Sequence, residues 1–183
     1  MKNFRLIASL AAVALFVAGF LMVPATMRAA DTPDSPEITS LLLDARTQAV
    51  DLRRAAEDME TFTRGGEEWQ SFAAKLDILK ERVNATGKLV AKMKDAEAHG
   101  AIWQQTAIRR VEPLLREMAA NTDSTIRFLN ANKTKVHFPE FRDYVRTNAD
   151  MAVSLESLVK NFLTYGELKQ KLDRLGNKLE IGG

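Results

Sequence analysis

Cysteine is missing from all 183 residues, and histidine occurs only twice. The chain therefore has no disulfide, no thiolate nucleophile, no cysteine-bound metal, no covalent c-type haem and no lipidated-cysteine anchor. His99 and His137 fall at a helix end and in a connection. They supply neither the Glu-x-x-His pairs of di-iron bundles nor the inward ligand pair of a b-type haem bundle. Met59, Met93, Met118 and Met151 lie at core spacing, where methionine is most often filler. Gly65-Gly66 and Gly182-Gly183 neither follow a strand nor precede Lys-Ser/Thr, so they form no phosphate loop. No nucleophile–base signature is present either. These absences leave no catalytic residue, cofactor or metal ligand to name, and they point to a non-enzymatic protein.

One long apolar run exists, and it is at the start. Lys2 and Arg5 precede an uncharged stretch from Leu6 to Val23 that ends at Pro24. A basic start, an apolar middle and small residues at the exit make residues 1–30 a secretory signal peptide. At about 18 residues the run also reaches the lower limit for spanning a bilayer, so an uncleaved N-terminal membrane anchor is the alternative. Both readings place the remainder outside the cytoplasm, in the periplasm or extracellular space, either free or anchored to the inner membrane. Residues 1–30 hold Lys2, Arg5 and Arg28 and no acidic residue, which leaves 23 basic against 24 acidic residues in 31–183. A domain this close to neutral gives no electrostatic reason to expect nucleic acid.

Residues 31–35 read as a linker, and 36–183 as four amphipathic helices at about 36–63, 67–98, 101–131 and 139–179. Ser35 is placed to cap a helix whose first residue is Pro36. Ile38, Ala45, Leu52 and Met59 then repeat every seven residues. In the second helix Trp69, Leu76, Val83 and Val90 form one seam, and Phe72, Leu79, Thr86 and Met93 the next. Trp103, Ile108, Val111, Leu115, Met118, Ile126 and Leu129 face inward from the third, which Pro113 should kink. Phe141, Val145, Ala152, Leu155, Leu158 and Phe162 mark the fourth. Steps of three and four with charges between them define helices, and short connections make neighbours antiparallel. The expected fold is an all-α, up-down-up-down four-helix bundle with an extended C-terminal helix.

Three features of that bundle are candidate sites. Phe62, Trp69, Phe72, Phe128, Phe141 and Tyr144 gather at the pole away from the leader, together with Phe138; they either plug that end or line an apolar ligand pocket. Thr122 and Asn148 face each other about 13 Å in from that pole, beside Asn121, as a polar core layer that would fix register. Beyond Gly166 the stripe Leu168, Leu172, Leu175 and Leu179 follows what reads as a three-residue slip in the heptad pattern. This tail either bends at Gly166 to cover the open end of its own bundle, or projects toward a protein partner or a second copy. Asn84-Ala-Thr86 matches a glycosylation pattern but lies mid-helix.

Trp103-Gln-Gln-Thr-Ala-Ile108, Asn130-Ala-Asn-Lys133 and Pro139-Glu-Phe-Arg-Asp-Tyr144 give the chain a resemblance to small exported bacterial helical-bundle proteins that carry no assigned activity. In general shape it is also similar to b-type cytochrome and sensor-receptor bundles. The resemblance implies the fold and the compartment and no functional residue. The expectation is a protein-binding or scaffolding component of the cell envelope. A small-ligand or sensor-type bundle that uses the aromatic pole is the alternative.

Overall fold

The computed structural model describes residues 32–66 and 68–179, and the expected leader (1–30) lies outside them. Four long helices make up the described chain: α1 (Pro36–Phe62), α2 (Trp69–Ala96), α3 (Ile102–Ala131) and α4 (Pro139–Lys178). Single 3-10 turns follow α2 at Glu97–His99 and precede α4 at Lys133–Lys135. Among the described residues there is no strand, and no helix is long and apolar enough to cross a membrane. The helices pack in a ring, α1 on α2, α2 on α3, α3 on α4 and α4 back on α1, while diagonal pairs hardly meet. This is an all-α antiparallel four-helix bundle.

Local chemistry sets the ends. Ser35 Oγ accepts the Ile38 amide at 3.3 Å, and Pro36 occupies the first helical position, where a missing N–H leaves nothing unsatisfied. Pro139 opens α4 in the same way after Phe138. α2 begins at Trp69, two residues later than its charge pattern suggests, and ends at Ala96, where the tighter turn takes over. α3 passes through Pro113 without a break in its helical run.

The core register follows the heptads, with two corrections. In α3 the inward positions step strictly by four and three through Gln104, Ile108, Val111, Leu115, Met118, Thr122, Thr125 and Leu129, all buried. Ile126, expected inward, is only half-buried. In α4 the buried stripe is Phe141, Val145, Asn148, Ala152, Leu155, Val159, Leu163 and Gly166, joined by Ala149. Leu158 and Phe162 lie on its flank, half-buried. The expected three-residue slip at Gly166 is not on the buried path, which instead takes two successive four-residue steps, from Leu155 to Val159 to Leu163, before Gly166. The three-residue slip comes from following the largest side chains, whereas the buried path runs through smaller Val159 and Gly166.

The tail does not fold back at Gly166 to cover the bundle end, since α4 runs unbroken for 40 residues and the tail leucines are exposed. Gly166 serves packing here: a Cβ on it would lie 2.7 Å from Cζ2 and Cη2 of Trp103. The glycine lets the indole approach the backbone of α4 where the bundle ends. At ~1.5 Å per residue, the 10-residue excess of α4 over the 30-residue α3 is about 15 Å of helix.

Gly166 and Gly176 therefore predict opposite responses to alanine. Gly166→Ala must displace an indole that is also hydrogen-bonded, and is expected to cost about 1–2 kcal/mol after the helix-propensity gain. A Cβ on Gly176 would meet nothing within 4 Å, so Gly176→Ala should raise helicity without lowering the melting temperature. Thermal melts followed by circular dichroism, with Trp103 emission as a second signal, check both.

Candidate functional site

The aromatic pole is built by ring-on-ring contact. Phe62 meets Phe72 edge-on at 5.5 Å, Phe72 meets Phe141 edge-on at 5.2 Å, and Phe128 bridges Phe141 (6.1 Å) and Tyr144 (5.6 Å). Lys75 lies over Phe62 at 4.7 Å and Lys133 over Trp69 at 4.1 Å, so cations cover two rings from outside. Phe72 and Phe141 have no exposed surface, whereas Phe138 stands half-exposed away from the cluster. A ligand could reach these two rings only by parting them.

The polar layer joins α3 to α4. The Thr122 hydroxyl lies 2.9 Å from both Asn148 Oδ1 and the Met118 carbonyl, and Asn148 Nδ2 donates to Thr125 Oγ1 at 3.1 Å. Thr125 in turn donates to the Asn121 carbonyl (2.7 Å), and Asn121 Nδ2 donates to the Tyr144 carbonyl (3.0 Å). Thr125 joins the layer although apolar spacing does not single it out; only the four-three stepping of α3 marks it as inward. Each threonine keeps a carbonyl one turn back within reach. That matters if the asparagine is replaced.

A second polar centre, at the opposite pole, has no counterpart in the apolar pattern of the sequence. Gln104 is fully buried and its amide is saturated. Oε1 accepts from the Ser35 and Ala101 amides at 2.8 and 2.9 Å, while Nε2 donates to the Ser35 carbonyl and Thr39 Oγ1, both at 2.9 Å. Beside it, Trp103 Nε1 donates to Asp34 Oδ1 at 2.7 Å, and Lys169 approaches the same carboxylate at 4.0 Å. Gly100 allows close contact here too, since a Cβ would meet Ile38 Cδ1 at 2.7 Å. The segment entering α1 is thus pinned by the first turn of α3 and by α4.

On the outside of the same pole, Glu97 lies between Lys94 (2.8 Å) and Arg109, and Lys94 also reaches Glu112 at 3.4 Å. Hydrogen bonds from Lys94 and then Arg109 hold the Glu97 carboxyl below its ordinary range. The bond to Glu97 raises Lys94 correspondingly. The group is a surface ion-pair network and carries no reactive geometry. Among the described residues no cluster of His, Asp or Glu could hold a metal ion.

The chain matches no protein-family model and no curated protein. Two surfaces stand out by geometry. One is an open apolar recess of about 750 Å³ between α2 and α3, where Gly87, Ala91 and Ala119 leave room beside Val83, Val90 and Leu115. The other is the tail. Leu168, Leu172, Leu175 and Leu179 are 55–69% exposed, and Tyr165 stands exposed ahead of them. The Asn84 sequon offers no such surface, because the Thr86 hydroxyl is buried and bonded to the Arg82 carbonyl at 2.9 Å.

Two measurements separate the polar centres. Gln104→Leu strands the Ser35 and Ala101 amides and should cost about 2–4 kcal/mol. Asn148→Leu leaves both threonine hydroxyls with carbonyl partners, and should keep or raise the wild-type melting temperature while unfolding stays cooperative. Equal losses in the two variants would contradict this account. For Glu97 the sign is fixed by its lowered pKa: its stabilisation is present above its ordinary 4.5 and lost as pH falls through the folded value. Glu97→Gln should therefore melt below wild type at neutral pH, and the gap should close in acid.

Proposed function

We propose that this protein is an exported, non-enzymatic helical bundle that binds or scaffolds another protein in the cell envelope, using the C-terminal third of α4. The export signature of residues 1–30 supports the compartment. The observation that carries the binding role is the leucine stripe 168-172-175-179, which stays in solvent on an unbroken helix beyond the end of the bundle. Soluble surfaces carry scattered leucines freely, but four at heptad spacing on one projecting helix form the stripe that coiled-coil partners use. The interior supports this reading, because Gln104, Thr122, Thr125 and Asn148 are hydrogen-bonded and the fully buried Phe72 and Phe141 pack on each other. The ligand-binding alternative would need the aromatic pole to open and has no comparable exposed feature there.

The test is photo-crosslinking in cells that make the full chain. A photoreactive residue at position 172 should yield one discrete protein adduct, and the same residue at Asp77 on the outer face of α2 should not. Truncation after Tyr165 should remove the complex from native gels. If position 172 gives no adduct and truncation leaves the native mass unchanged, the tail is not a binding surface and the reading fails.

A further inference from the structure

We infer that the partner of the tail is an amphipathic helix whose apolar stripe is flanked by acidic residues, and that it packs on α4 as a short coiled coil. This rests on the binding role proposed above and names the chemistry that would satisfy it.

The direction of the stripe comes first. The buried stripe of α4 ends at Gly166. At 100° per residue, the tail leucines lie about half a circle away from that stripe, on the side of α4 that faces out from the bundle. The residues that continue the core face past Gly166 are Gln170, Asp173 and Asn177, which are polar and exposed. The tail therefore does not extend the bundle core. It is a separate apolar surface on the opposite side of the same helix.

Charge then selects among occupants. With Leu168 and Leu175 as d positions and Leu172 and Leu179 as a positions, the flanking e and g places are Lys169, Lys171, Gly176 and Lys178. No acidic residue occupies either flank. Lys169 is engaged with Asp34 and Asp173, so the exposed Lys171 and Lys178 define the pattern. Upstream the same g row carries no cation: it reads Asp143, Asp150, Ser157 and Thr164, all exposed, and the d row there is Thr147, Ser154 and Asn161. Past Thr164 both rows change together, polar d to leucine and acidic or neutral g to lysine.

These rows disfavour the simpler occupants. An antiparallel second copy would set Lys171 against Lys178 of its mate. A parallel one would set Lys171 against Gly176 and offer no carboxylate to either lysine. An anionic lipid surface lying along α4 would meet Asn161, Ser154 and then Asp150 on the same side a few turns upstream. A partner helix confined to residues 165–179, with glutamate or aspartate at its own e and g places, meets leucine with leucine and lysine with carboxylate.

The probes are two labelled 21-residue peptides with leucine at a and d, one carrying glutamate and the other lysine at e and g. They are titrated against protein purified from cells making the full chain. The glutamate peptide should bind at least tenfold more tightly than the lysine peptide at low salt, with the advantage shrinking as salt rises. Leu172→Asn should abolish binding, and Lys171→Glu with Lys178→Glu should invert the preference. All three positions are exposed, so unchanged melting curves accompany these effects. Equal binding of the two peptides, no binding of either, or a preference that survives the charge reversal overturns the inference. So does binding to phosphatidylglycerol vesicles in place of the peptide, or a doubling of mass with concentration. If position 172 still crosslinks to a protein in cells while the peptides fail, the binding role stands and the acidic-helix partner falls.

Discussion

Four hydrogen bonds converge on the amide of Gln104, and through them the first turn of α3 holds the segment that leads into α1. An amide buried in a helical interior is costly unless all its capacity is met. Here it is met almost wholly by groups of one short stretch, Ser35 to Thr39, plus the amide of Ala101. Moving α1 by one turn along α3 would break the bonds to that stretch together. The contact therefore fixes the axial register of the bundle, and the neighbouring Trp103 extends the constraint to α4 through Gly166. The place where the core stops, and where the tail becomes independent, is set at this pole.

The other polar centre is built differently. Thr122, Thr125 and Asn148 bond across α3 and α4, but the two hydroxyls lie on one helix and each has a carbonyl of its own helix within reach. Side chains that can fall back on local acceptors specify geometry weakly, because the alternative state leaves nothing unsatisfied. The amides that Gln104 receives have no such local refuge. Two buried polar sites of similar appearance thus differ in consequence, and the difference comes from where their partners' second choices lie.

Most of the helical layout is legible in the sequence because α1 and α2 carry their core on apolar residues, alanines among them, in unbroken heptads. Ile38, Ala45, Leu52 and Met59, and Phe72, Leu79 and Met93, are buried as spaced. Legibility fails where a smaller or polar residue takes the core position beside a larger apolar neighbour. In α4 the eye follows Leu158, Phe162 and Tyr165, whereas the buried path passes through Val159, Leu163 and Gly166, since the apposed Trp103 fills the space a large residue would need. Gln104 escapes notice for the same reason: apolar periodicity has no rule that places a glutamine inside. The four-three stepping from Gln104 to Leu129 does contain the signal, but only once polar residues are allowed to occupy core positions. The pairing of Thr122 with Asn148 follows from depth alone, because antiparallel helices of similar length make distance from a shared pole a usable coordinate.

The tail draws its helicity from the bundle it leaves. A segment of about 12 residues alone would be a marginal helix in water, because the first turn is unfavourable to nucleate. Residues 168–179 avoid that cost by continuing a helix whose preceding turns are packed, and Lys169–Asp173 adds an i,i+4 pair at its base. The leucines are thereby presented in a fixed geometry, and under the proposed binding role a partner would not need to order this side of the contact. Under that role each leucine that goes from exposed to buried would contribute about 1.5–3 kcal/mol at most. Gly176 bears on the tail's helicity. It weakens the helix by roughly 1 kcal/mol relative to alanine at a position with no packing demand for it.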